Sequence, residues 1–316
     1  MTMLKQFISS IKKHPLVWFY GISVLIEIAL IPLFVFTGNV STILKALEKT
    51  GIPFKTDLIT LFQVVIAVPE AFPGIFLAIV QVAAVDIAAL IVAKLAFGQK
   101  GIVELKNRFG FWRRDIGWQY ALKIWGICII TFSVISLAAA GLNKFMFSAF
   151  FSWDLNFYPI HFLVSLAIAL FLDAGGLFEE NGWRGFALPL LLQHFSPLNA
   201  SLVLGFFWGL WHFPVKFDLF EVYGVLGGLV YLSTFTLRLI FTSIIMTYFW
   251  NQLGQTTIIA IAMHGLNNDS IGLGGRVESE SFIPQLFTEV NLLIPTAIIA
   301  VWLTLKTRGS LGLRTN

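Results

Sequence analysis

The sequence predicts an all-α, polytopic membrane protein with about eight transmembrane helices, and three observations carry that prediction. Of 316 residues, 57% are hydrophobic and only 12% are charged, against about 25% charged in a typical soluble domain. The apolar residues fall in runs of about 20, the length needed to cross a bilayer's hydrocarbon core. The Lys and Arg residues gather at the ends of those runs, as they do around membrane spans.

The spans follow in order by hydropathy and length. The first, 16–37, comes after MTMLKQFISSIKKHP, has no small-residue cleavage pattern behind it, and reads as an uncleaved first helix. Residues 54–68 are apolar but short, and Pro69 and Pro73 break the chain after them, so this piece is expected to be interfacial or re-entrant. Further spans are expected at 74–97, 117–141, 159–193, 197–216, 223–250, 256–272 and 286–305. No internal repeat, linker or low-complexity tract interrupts them, so residues 1–316 are read as one integral membrane domain.

An even number of spans puts both termini on one side. Twelve of the 21 Lys and Arg residues lie in the N-terminus, the 94–116 loop and the C-terminus, which share that side. The positive-inside rule therefore places both termini in the cytosol of a cell membrane. Basic residues that flank spans in this way give no support to a nucleic-acid partner; the bilayer is the partner the composition implies. Cys128 is the single cysteine. It cannot form an intrachain disulfide, and inside an apolar span it reads as packing.

Against this background, the ionisable residues inside spans stand out, because each costs a few kcal/mol or more at mid-depth and such residues are usually functional. Glu179, Glu180 and Arg184 lie in the fourth span, His212 in the fifth, and His264 with Asn268 in the seventh. Ser196-Pro197 signals the turn between the fourth and fifth spans. Glu179 and His212 are equidistant from it, each roughly 24 Å along its helix at 1.5 Å per residue. Straight antiparallel helices would hold carboxylate and imidazole at one height.

Glu180 and Arg184 are spaced i, i+4 with the acid first, which favours a same-face pair. Glu179 points about 100° away, leaving it to face His212. His264 and Asn268 are also i, i+4, and two donors on one face suit a developing oxyanion. Glu27, Asp86, Asp173, Lys123 and Arg238 sit singly in their spans and are assigned no role, and Gln81 and Asn251 are read as structural. The sequence contains no His-Glu-x-x-His, no Gly-x-Ser-x-Gly and no Walker loop.

Three motifs then turn this constellation into a resemblance. EENGWRGFALPLL resembles a Glu-Glu-x-x-x-Arg signature, WGLWHFP an aromatic-x-x-x-His signature, and HGLNN a His-x-x-x-Asn signature. In this order, in the fourth, fifth and seventh spans, they resemble the CAAX protease and bacteriocin-processing family of intramembrane endopeptidases, over a core of about residues 155–270. Trp208 stands where the family usually has Phe; as another large aromatic it is expected to preserve the packing. The flanking Trp-Arg-Gly and Trp-His-x-Pro are similar to prokaryotic members, which often lack a prenylated substrate, so the resemblance implies the hydrolase chemistry and leaves the substrate open.

By that resemblance, Glu179 with His212 would activate a water for attack on a peptide carbonyl. His264 and Asn268 would bind the oxyanion, and Glu180 and Arg184 would support the helix. The implied partner is a peptide or protein substrate at the membrane. No cofactor is needed in this scheme, although a Glu, His, His set could hold zinc in a less favoured version. A non-catalytic bacteriocin-immunity or scaffold protein, and a proton-coupled transporter, are the readings from other classes.

Overall fold

A computed structural model describes residues 3–37, 39–52, 55–153, 158–268, 272–279 and 281–313. The expected end of the seventh span, 269–271, and the terminal basic residue Arg314 lie outside the described residues. The chain is helical almost throughout, in the order α1 (Met3–Lys13), α2 (Pro15–Thr37), α3 (Asn39–Thr50), α4 (Leu58–Ala67), α5 (Phe72–Val82), α6 (Ala84–Arg108) and α7 (Trp118–Met146). Then come α8 (Pro159–Phe171), α9 (Ala174–Glu180), a π-helical turn (Asn181–Ala187), α10 (Leu188–Leu191), α11 (Pro197–Trp211), α12 (Asp218–Gln252), α13 (Thr257–Asn267) and α14 (Phe282–Thr307). A two-residue antiparallel ribbon pairs Phe151 with Val277 and Ser152 with Arg276.

This is an all-α membrane protein. Among the described residues, Pro15–Leu33, α7, α12 and α14 are each long and apolar enough to cross a bilayer, and the pair Pro69–Val82 and Ala84–Arg108, bent by 48°, can supply a fifth span. Their outer faces carry Leu25, Ile130 and Ile298, each more than 60% exposed, which suits lipid and not water. Three of the expected spans are built from shorter apolar helices: α8, α11 and α13. Residues 257–266 of α13 are buried apart from Ile258, so this helix is enclosed by protein instead of facing lipid along its length.

The expected straight span 159–193 is the main correction. It breaks at Leu172–Asp173, restarts as α9 and then widens into the π turn. The break survives in an apolar setting because the segment before α4 satisfies its backbone. Leu58 N–H donates to Leu172 O at 2.9 Å, and Ala174 N–H donates to Thr56 O at 3.0 Å. Irregular backbone at membrane depth is tolerated where protein supplies such partners. The expected span 74–97 is likewise bent after α5, and α6 kinks at Gly98, whose φ of 65° suits a residue without a Cβ.

Small residues set how closely the helices approach. A Cβ on Gly205 would lie 2.6 Å from the Cα of Ile240, and one on Gly209 would lie 2.6 Å from Thr236 Cγ2. This Gly-x-x-x-Gly edge brings α11 against α12. A Cβ on Gly176 would lie 2.6 Å from the carbonyl of Ile261, so α9 meets α13 backbone to backbone. A separate small core of Ala46, Val64, Val68, Ala71 and Ile75 ties α3, α4 and α5 together beside the site.

Candidate active site

Four of the residues singled out in the sequence border one cavity of about 1020 Å³. Glu179, His212, His264 and Asn268 line it, and Ile75, Ile79 and Phe235 are among its apolar walls. Four chemistry-bearing side chains from three separate helical segments thus reach a single space.

Glu179 sits near the end of α9 and is only 4% exposed. Its Oε2 accepts hydrogen bonds from the indole N–H groups of Trp183 and Trp208, each at 3.1 Å. No hydrogen bond joins it to His212 among the described residues. Trp208, one helical turn before His212, is the residue of α11 that bonds Glu179. Between residues 181 and 187 the helix is π, not the straight α-helix assumed from sequence. The cavity, not a direct contact, connects the acid with the imidazole.

His212 caps α11. Its Nδ1 lies 2.8 Å from the carbonyl of Trp208. A carbonyl can only accept, so Nδ1 carries the hydrogen and Nε2 keeps its lone pair. The ring is held between Trp211 and Phe235, with centroids 5.1 Å away on either side.

Glu180 points the other way, as the 100° step requires. Its Oε1 accepts from Arg184 Nη1 at 2.7 Å and from His264 Nδ1 at 2.8 Å. Both Glu180 and Arg184 are fully buried. The pairing with Arg184 anticipated from sequence is present, and it extends to His264, which sequence spacing did not indicate. Arg184 also stacks over Trp208 at 4.4 Å, which offsets part of the cost of burying a guanidinium whose Nε and Nη2 lack hydrogen-bond partners among the described residues.

With Nδ1 of His264 held by Glu180, its Nε2 turns toward Gly175. A Cβ at residue 175 would lie 2.5 Å from that nitrogen and 3.2 Å from Asn268 Nδ2. The two i, i+4 side chains therefore converge over a glycine that leaves them room. Asn268 Nδ2 donates to Asp173 at 3.1 and 3.3 Å, and an amide has a second N–H to offer.

Several residues that had no assigned role belong to this framework. Asp173 caps α9 through Gly176 N–H at 2.9 Å, accepts from the Thr56 hydroxyl at 2.8 Å, and orients Asn268. Asp-Ala-Gly-Gly is a recognisable N-cap signal, so this one was available in the sequence. Asp86 accepts from Asn181 Nδ2 at 2.9 Å and Gly182 N–H at 2.7 Å, holding the π turn against α6. Arg238 is not single: its Nε donates to Glu289 at 2.8 Å. Gln81 lines the cavity, Asn251 donates to the Leu311 carbonyl at 3.0 Å, and Lys123 is exposed. Glu27 is fully buried, and neither of its oxygens has a hydrogen-bond partner among the described residues.

Trp208 does more than pack. It donates to Glu179, accepts from His212 and lies under Arg184. A phenylalanine there would keep the stacking and lose the indole N–H. As for a metal, no group of three or more His, Cys, Asp or Glu side chains among the described residues is placed to hold one.

Comparison with known proteins gives two sequence matches. A stretch of 162 residues is 33% identical to "CAAX prenyl protease 2" of Methanococcus maripaludis, covering 50% of this chain and 55% of that protein. The chain thus spans about half the length of the curated relative it matches. Residues 159–269, which hold every motif quoted above, match the family model described as Type II CAAX prenyl endopeptidase Rce1-like. It is in this core that the chain resembles the type II CAAX prenyl endopeptidases.

Proposed function

We propose that this protein is an intramembrane endopeptidase that hydrolyses peptide bonds of membrane-associated or peptide substrates with an activated water. The observation that carries the reading is the shared cavity: Glu179, His212, His264 and Asn268 reach it from three segments that the sequence holds far apart. The family match over the same residues supports it.

In this mechanism the water lies between Glu179 and the Nε2 lone pair of His212. It loses a proton to one of them as its oxygen attacks the peptide carbonyl carbon. The carbonyl oxygen becomes an oxyanion and takes hydrogen bonds from Nε2–H of His264, which Glu180 holds as an imidazolium protonated on both nitrogens, and from the second N–H of Asn268. Collapse of the tetrahedral centre breaks the C–N bond, and the stored proton passes to the departing amine. Glu180 keeps His264 turned so that Nε2 faces the substrate, and Asp173 does the same for Asn268. Trp183 and Trp208 fix the carboxylate of Glu179.

The scheme uses no metal. Both histidines spend Nδ1 on protein acceptors, and activity is expected to survive exhaustive chelation, with elemental analysis of the same sample as the control. Loss of turnover on chelation, restored by zinc, would replace this scheme with a zinc-dependent one. The basic residues of the termini and the 94–116 loop support a cell-membrane location with both termini cytosolic, which terminal reporter fusions read directly.

The decisive experiment is a fluorogenic peptide library in detergent, comparing wild type with Glu179→Gln. Turnover is expected to fall on the order of a thousandfold or more in the variant, with thermal unfolding nearly unchanged. Equal turnover in both proteins would sink the mechanism and favour a non-catalytic membrane scaffold.

A further inference from the structure

The proposed hydrolysis makes no use of α1, whose surface has two opposite characters. At 100° per residue, Met3, Leu4, Phe7, Ile8 and Ile11 fall on one side, and Lys5, Ser9, Lys12 and Lys13 on the other. Ile11, in the middle of the apolar side, is fully buried in the core, and α1 packs against α6. Met3, Leu4 and Phe7 share that side but are 87%, 66% and 41% exposed. The apolar face thus runs on past the protein.

Pro15 opens α2, which is long and apolar enough to cross the bilayer. The proline ring crowds the residue before it, and α1 is separated from α2 at His14. In one straight helix Trp18 would lie about 12 Å along the axis from Ser10 and about 16 Å from Phe7. Instead the Trp18 indole N–H donates to the Ser10 hydroxyl at 3.0 Å, and the rings of Phe7 and Trp18 meet edge-on with centroids 4.8 Å apart. The helix is therefore folded toward the first turn of α2, at the membrane face where that span starts.

The polar side carries only positive charge. Lys5, Lys12 and Lys13 are exposed, and α1 contains no Asp or Glu. None of the three forms an ion pair among the described residues, and Glu104 of α6 lies beside Arg108. A helix with apolar side chains on one face and unpaired lysines on the other suits the boundary between acyl chains and headgroups. Cations held at that level attract anionic lipids. We propose that α1 lies in the plane of the membrane surface as a binding site for anionic phospholipid headgroups. Met3, Leu4 and Phe7 enter the acyl layer, and Lys5, Lys12 and Lys13 meet the phosphates.

The test places a fluorophore on Ser9→Cys of the full chain, since Ser9 is exposed on the basic side and the native thiol, Cys128, is buried. The protein is reconstituted in phosphatidylcholine vesicles with increasing mole fractions of a lipid that carries a quencher near its headgroup. That lipid is phosphatidylglycerol in one series and phosphatidylcholine in the other. Half-maximal quenching is expected at an about tenfold lower mole fraction for phosphatidylglycerol. Lys5→Gln, Lys12→Gln and Lys13→Gln together should bring the two series within about twofold of each other. The same loss of three charges at the exposed Lys100, Lys123 and Lys306 should leave a preference of at least about fivefold.

Coincident curves for the two lipids, with all lysines present, overturn the proposal, as does a preference that survives loss of Lys5, Lys12 and Lys13. A preference abolished alike by either set of three substitutions belongs to the total charge of the protein and not to α1, and also overturns it. Should the triple α1 variant unfold early in detergent, each single Lys→Gln change is expected to lower the preference about twofold. Three single changes without effect would then overturn it. No catalytic group takes part, so the outcome stands apart from the endopeptidase reading.

Discussion

Glu179 meets two indole N–H groups and borders the cavity, whereas Glu180, one residue on, is sealed from it and shares a single oxygen between Arg184 and His264. The two carboxylates have the same chemistry and nearly the same depth. What separates them is the 100° step of a helix, which turns one toward space and the other toward protein. A carboxylate held by neutral donors keeps its capacity to take a proton. A carboxylate bonded to an arginine and an imidazole is spent on structure, and its removal strands a buried charge.

That contrast can be broken by substitution. The largest effect on folding is expected from Glu180→Gln, which leaves Arg184 buried without its counter-charge and should cost about 3–5 kcal/mol of stability. Thermal or denaturant unfolding in detergent measures this, beside Glu179→Gln, which should unfold close to wild type. Equal stability of the two variants would erase the distinction between the neighbours.

Gly175→Ala probes the cavity side. Its new methyl would occupy space now filled by His264 Nε2 and Asn268 Nδ2. Displacing oxyanion donors by about 1 Å should lower kcat on the order of a hundredfold, while the fold changes little. A variant that turns over like wild type would show that these two groups do not meet the reacting carbonyl.

The smallest effect is expected from Trp208→Phe. It removes one of two N–H donors to Glu179 and keeps an aromatic ring under Arg184, so activity should drop about tenfold. An unchanged rate would mean that Trp183 alone positions the carboxylate.

How much of this was legible in the sequence depends on the kind of contact. Glu180 with Arg184, and His264 beside Asn268, are i, i+4 pairs that any α-helix brings together, and both are present. The height match of Glu179 and His212 was argued from straight helices, whereas the fourth span carries a π turn between residues 181 and 187. The role of Asp173 was written in an N-cap pattern that an expectation of one straight span concealed. No spacing rule could bring Glu180 to His264, Trp208 to Glu179 or Arg238 to Glu289, which are 84, 29 and 51 residues apart.

By itself, the sequence determined that the chain is a bundle of apolar helices, that acid, imidazole and amide lie in the fourth, fifth and seventh spans, and which of those groups share a helix face. Those facts follow from composition and from the fixed geometry of a single helix. The tertiary structure alone decided that the fourth span is broken and sealed by residues 56–58, and that a cavity joins Glu179 to His212. Each of these depends on how closely helices cross and at what angle, and that is settled by glycines such as Gly176 and Gly209 meeting partners far along the chain.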